Sequence, residues 1–217
     1  MIFIGHLDMM RFFQKAFRRS GLPIAYSTGF SPHQIMSFAQ PLGVGVYSDG
    51  EYFDVEFEEK VEPDLIKERL SAVMATGVDI INVRELPDDA GNAMASIAAA
   101  GYTIRLRDGH FPELSLTEHF EAFMAQPEIL YEKETKRSVK ELNIKDFIFE
   151  YKVMDEEIYL FLDASSAGNL NPAFVMDAYF KWMGKESQKL DFVIKRMEIY
   201  YRTDEGKLLP LEEAGVR

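Results

Sequence analysis

Four residue types with distinct chemistry crowd into the run Ser27-Thr28-Gly29-Phe30-Ser31-Pro32-His33. Gly29 can take positive φ and let a ligand approach the backbone, and successive N–H groups in such a turn can form an anion-binding nest. Ser27 supplies a hydroxyl, and Phe30 offers a π-face on which a base could stack. Imidazole as a group titrates near neutrality, so His33 and His6 could form an acid–base pair if folding brings them together. The competing reading is structural, with the ring of Phe30 in a core and His33 satisfied by backbone. A metal site made from His6, Asp8 and His33 has no recognised ligand spacing, so no metal is expected.

The elements that must position these groups begin with a helix over His6–Ser20. At about 100° per residue, Leu7, Met9, Met10, Phe13, Ala16 and Phe17 fill one arc. Arg11, Lys15 and Arg18 fall on the opposite arc at i, i+4 and i+7, with Asp8 and Arg19 on its flank. Such a stripe is either a solvated helix face or an anion-binding one. Context favours the second, because the chain is acidic, with a formal net charge of −12. Residues 1–45 nevertheless carry four basic side chains against Asp8 alone, whereas residues 46–100 carry four basic and thirteen acidic ones. A second basic island lies at 131–145 and includes Lys136, Arg137 and Lys140. A phosphate polyanion needs a positive surface, so any nucleic-acid contact belongs to these islands. The 133–140 run reads as a hairpin or loop, and a solvated charge run is its plainer interpretation.

Composition closes several other routes. The 217 residues are 47% hydrophobic and 28% charged, the balance of a soluble globular chain with a real core. No apolar run approaches the roughly 18–20 residues that span a bilayer, and no signal-peptide layout opens the chain, so a cytoplasmic protein without membrane contact is expected. Cysteine is absent, which removes thiolate nucleophiles, thiolate-held zinc and iron–sulfur clusters from this polypeptide. No cofactor is expected. Leu42-Gly43-Val44-Gly45-Val46 contains G-x-G but leads into a hairpin rather than a helix, so it is not read as a phosphate loop. His110 and His119 stand alone and read as ordinary surface residues.

The first fifty residues also carry a dense set of fixed spacings: His6-Leu7-Asp8 with Arg11, Arg18-Arg19 with Gly21-Leu22-Pro23, Tyr26-Ser27 with Gly29-Phe30 and Pro32-His33, then Pro41-Leu42, Gly45, Ser48 and Glu51-Tyr52. This pattern resembles a radical-SAM-associated family of domains of unknown function, with Gly5, Thr28, Ser31 and Gln34 as small departures. The resemblance implies a radical-SAM protein as partner, with the cluster and radical chemistry on that other chain. It also implies a further strand ahead of the His6 motif, of which Ile2–Ile4 would be a remnant.

The order of elements predicts an α+β protein of two tandem ferredoxin-like units, residues 1–88 and 99–217, each β-α-β-β-α-β. In the first, Asp49-Gly50 reads as a two-residue hairpin turn, Tyr52–Glu58 alternates as a half-buried strand, Pro63 opens a helix and Val78–Leu86 closes the sheet. In the second, strands are predicted at 102–107, 129–134, 147–153, 158–162 and 191–202, with helices at 116–125 and after the Asn171-Pro172 cap. Outward Asp54, Glu56 and Glu58 would repel phosphate, so a base-stacking sheet is disfavoured and RNA contact is assigned to the first helix and the Ser27–His33 turn. The leading expectation is a non-catalytic accessory module of a radical-SAM enzyme that recognises or presents RNA. A metal-independent endoribonuclease using paired histidines, and a protein–protein adaptor without nucleic acid, are the alternatives.

Overall fold

A computed structural model describes residues 3–87, 90–134 and 139–214. The chain is mixed α+β, with its strands in several sheets. It divides into two compact units that interleave: residues 3–44, 51–96 and 209–214 form the first, and residues 45–50 and 97–208 the second. The expected division at 1–88 and 99–217 follows chain order. The contacts instead pass Gly45–Gly50 to the second unit and the end of the chain to the first.

In the first unit, α1 spans His6–Ser20 and buries Phe13, Ala16 and Phe17. It stops at Gly21, whose φ of 66° and ψ of 20° give the left-handed cap that glycine enters without a Cβ penalty. Leu7 departs from the predicted apolar arc and is 63% exposed. Strands β1 (Met36–Phe38) and β3 (Phe53–Val55) pair antiparallel, with Phe38 opposite Phe53. The ring of Phe13 lies 5.7 Å from Phe38 and 4.8 Å from Phe53, seating α1 on this small sheet. Helix α2 (Pro63–Ser71) adds Ile66 and Leu70 to a core with Ala16, Phe17, Leu22 and Ile24. A short helix, α3 (Ala93–Ser96), is anchored by Asp54, which accepts a hydrogen bond from the Ala93 N–H at 2.7 Å. Asp54 is therefore a structural acceptor rather than a free outward charge.

Three expectations for this half are corrected. Phe3 and Ile4 form no strand. Val78–Leu86 is not a regular strand either: Ile80 and Val83 pack on the core, but this segment gains no ladder beyond a single bridge position at Glu85. Asp49-Gly50 does not turn a hairpin. The residues before it form β2 (Val46–Ser48), which runs parallel to a strand near the end of the chain, so the direction of the chain is wrong for a two-residue reversal.

The second unit holds β4 (Ile97–Leu106), α4 (Phe120–Met124), the hairpin β5 (Leu130–Glu134) and β6 (Val139–Asn143), then β7 (Ile148–Val153), β8 (Ile158–Asp163), α5 (Pro172–Trp182) and β9 (Phe192–Arg202). Its main strands lie in the order β9-β4-β8-β7, all neighbours antiparallel, with β2 along the other edge of β9. Side chains alternate across this sheet as the strand period requires. Tyr102, Ile104, Leu160, Leu162, Ile194 and Ile199 are buried, and α4 and α5 contribute Phe120, Phe123, Met176, Tyr179 and Phe180 to the buried set. Asn171 caps α5 by accepting from the Ala173 N–H at 2.9 Å. Among the described residues, no helix is long and apolar enough to cross a membrane.

Candidate functional site

The predicted cationic face of α1 forms, but its four members differ. Arg11, Lys15, Arg18 and Arg19 are all exposed. Arg11 meets Asp8 at 3.3 Å, with both side chains about two-thirds exposed. A pair that open to water contributes only about 0–1 kcal/mol, so Arg11 is released at little cost. Arg19 donates to the Val73 carbonyl at 3.0 Å and ties α1 to the end of α2. Lys15 and Arg18 make no ion pair among the described residues.

The Ser27–His33 segment is a hydrogen-bonded loop rather than a slack one. The Ser27 N–H donates to the His33 carbonyl at 2.8 Å, and the His33 N–H donates to Ser27 Oγ at 3.1 Å. Ser27 Oγ also lies 2.8 Å from His33 Nδ1. Two proton arrangements fit these contacts: Oγ accepts from the backbone N–H and donates to Nδ1, or it accepts from both the backbone N–H and an Nδ1–H that also faces the Ser31 carbonyl at 3.5 Å. In the first of these Nε2 carries the ring hydrogen and is a donor; in the second it is an acceptor. Below the loop, Ile35 N–H donates to the Ala25 carbonyl at 2.9 Å, and Tyr26 bridges Gln34. Gln34 is buried, with Oε1 lacking a hydrogen-bond partner among the described residues. Gly29 turns the apex at φ 117°, a conformation side chains rarely adopt, and Phe30 stands fully exposed beside it.

His6 and His33 are held by different partners. The His6 ring packs edge-on against Phe38 at 5.3 Å, whereas His33 closes its own loop. No hydrogen bond joins the two imidazoles among the described residues. Nor does any group of three or more potential metal ligands occur among them. Of the second basic island, Lys136 and Arg137 lie outside the described residues. Lys140 lies on β6, opposite Lys133 in the register.

Two features of the second unit escaped the sequence reading. His110, taken as an ordinary residue, has Nδ1 at 2.8 Å from Asp191 Oδ1, and Asp191 is mostly buried. The turn that carries it is clamped, because Arg107 Nε donates to the Leu190 carbonyl at 2.7 Å and Arg107 N–H to the Asp191 carbonyl at 2.8 Å. Gly109 at φ 80° and Phe111 at φ 50° shape this turn, and Phe111 packs against Phe180 at 5.1 Å. Asp108-Gly109 was a visible turn signal, but nothing local points to a carboxylate some eighty residues away.

The other feature is an aromatic array on the sheet face opposite the buried one. Phe161 lies 4.9 Å from Tyr200 and 5.9 Å from Phe149, and Lys152 Nζ sits 5.7 Å from the centre of the Tyr159 ring. The Tyr159 hydroxyl lies over Gly101, where a Cβ would stand 2.8 Å from it. Burial, followed by the neighbouring Tyr200 and Glu150, pushes the Tyr159 hydroxyl from its ordinary 10.0 up to about 12. This sheet does display aromatics, unlike the acidic strand from which the sequence argument was drawn. Its charges are paired, however, with Lys195 on Asp49 at 2.5 Å and Lys152 on Glu150 at 2.9 Å. No net positive surface results for a phosphate chain.

A family model described as "Uncharacterized protein conserved in bacteria (DUF2344)" matches residues 1–172. The chain belongs to that bacterial family. The match takes in α1 and the Ser27–His33 loop whole. Comparison with curated proteins gave no match.

Proposed function

We propose that this member of the family is a non-catalytic accessory module that recognises or presents RNA for a radical-SAM enzyme in the cytoplasm. The radical-SAM partner rests on the motif pattern of the first fifty residues. RNA rests chiefly on one observation: Lys15 and Arg18 stand exposed without ion-pair partners among the described residues, on a chain of net charge −12. Counterions released from such cations drive binding to a phosphate backbone. When Ser27 Oγ donates to Nδ1, Nε2 of His33 carries the ring hydrogen and can donate to a phosphate oxygen. The strand order of the second unit favours a ferredoxin-like fold there, and we extend that reading to the first unit as a shorter-stranded version.

Replacing Arg11 and Arg18 together by Glu tests this reading. RNA affinity in a filter or polarisation assay is expected to fall at least a hundredfold, with a shallower salt dependence. The thermal midpoint should barely move, because exposed substitutions shift stability by only about ±0.5 kcal/mol. Unchanged affinity would transfer the case to a protein–protein adaptor.

The endoribonuclease reading draws its support from His110 rather than from His6 and His33. A carboxylate at Nδ1 leaves Nε2 with a lone pair, the form a general base requires. We expect no cleavage of host RNA in chelator. Cleavage that disappears in His110→Ala would replace the accessory reading with a catalytic one.

A further inference from the structure

Phe30 is the most exposed large apolar side chain among the described residues, at 111% of the reference for an extended chain. Its position is held rather than loose, because three hydrogen bonds between Ser27 and His33 close the loop beneath it. Leaving a whole phenyl ring in water forfeits the stabilisation its burial would bring. A closed loop that holds the ring out implies a partner that covers it. The surroundings narrow the partner's chemistry. Thr28, Gly29, Ser31, Pro32 and His33 around the ring are all exposed, and the group is small or polar apart from the proline. An anchor for a protein pocket commonly sits within an apolar patch; here the other large exposed ring beside the loop is Tyr26, 44% exposed, which carries a hydroxyl of its own. A ring collared by hydroxyls and an imidazole instead matches a nucleotide, whose base stacks on the ring while its sugar and phosphate meet the collar.

Building on the RNA reading above, we infer that Phe30 is the stacking anchor of the site, and that the site takes an unpaired nucleotide rather than a duplex. In a helix both faces of each base are already stacked, so a single apical ring has nothing to cover. An unpaired base has a free face. The Ser27–His33 latch then acts as a positioning device, fixing the ring before the base arrives and reducing the ordering cost of binding.

The experiment uses the full chain with a single-stranded RNA of about twelve nucleotides carrying 2-aminopurine, and with the blunt duplex of the same sequence. Wild type is expected to bind the single strand at least tenfold more tightly and to quench the probe. Phe30→Ala should weaken single-strand binding about tenfold to hundredfold, remove the quench and leave duplex affinity and the thermal midpoint unchanged. Phe30→Trp should keep single-strand binding. Equal single-strand affinity for wild type and Phe30→Ala, or a preference for duplex, overturns the inference while leaving RNA recognition by α1 standing. Wild type binding neither probe overturns both readings. Loss of capture of a purified radical-SAM partner in Phe30→Ala, with RNA binding intact, also overturns it and makes the ring a protein anchor.

Discussion

Two loops of this molecule each set a histidine Nδ1 at 2.8 Å from an oxygen, and the chemistry of that oxygen separates the two imidazoles. In the first unit, His33 meets the Ser27 hydroxyl, which can give a proton to Nδ1. In the second, His110 meets the Asp191 carboxylate, which can only accept one. The first arrangement admits a donor at Nε2, which suits recognition of an anion. The second leaves Nε2 basic and suits proton transfer. The surroundings differ in the same sense. Around His33 lie exposed small polar residues and a bare ring, whereas the His110 turn is clamped by Arg107 and packed through Phe111. A histidine's neighbour on one nitrogen thus says more about its capability than its exposure does.

The strongest way to break the comparison is at Asp191. Its other oxygen accepts the Gln188 N–H at 2.6 Å, so the carboxylate serves two partners at once. Asp191→Asn should cost about 1.5–3 kcal/mol in denaturant unfolding, because both hydrogen bonds involve a charged acceptor. It should also shift the imidazole ¹⁵N signals of His110. An unchanged unfolding midpoint would show that the pair is not structural and raise the standing of the catalytic reading. Ser27→Ala is the gentler probe. Removing an exposed hydroxyl should cost only about 0.5–1.5 kcal/mol, yet it frees His33 to exchange tautomers. The ¹⁵N signals of His33 should move towards the averaged position of an unconstrained ring, and single-strand affinity should drop by less than in Phe30→Ala. If those signals stay put, Ser27 does not set the His33 tautomer and the contrast between the loops collapses.

The sequence carried much of the second unit because its signals are local. Ile158, Leu160 and Leu162 alternate as a strand must, and Asn171-Pro172 announces a helix start that the structure reproduces. The same held for α1, where the 3.6-residue period separated the buried Phe13 and Phe17 from Arg11, Lys15 and Arg18. What stayed illegible depended on partners far along the chain. Val46–Ser48 reads as half of a hairpin until its parallel neighbour is known. Asp191 gives no hint that it belongs with His110. Phe30 shows a third kind of ambiguity: a phenylalanine between Gly29 and Pro32 can as readily be a core plug as a solvent-exposed tip, and only the closed loop decides. Arg19 looks like its neighbours in the cationic stripe, yet the Val73 carbonyl claims it.

The parallel pairing of Val46–Ser48 with Ile194–Arg196 also sets a clock on synthesis. The short strand leaves the ribosome roughly 150 residues ahead of its partner, an interval of roughly 8–30 s at ordinary elongation speeds. Both flanking segments, through residue 44 and from residue 51 onward, belong to a unit whose helices and short sheet can condense during that wait. The six residues between them must stay unclaimed until Ile194–Arg196 have left the ribosome. Closure of this sheet edge is therefore governed by an early strand kept waiting.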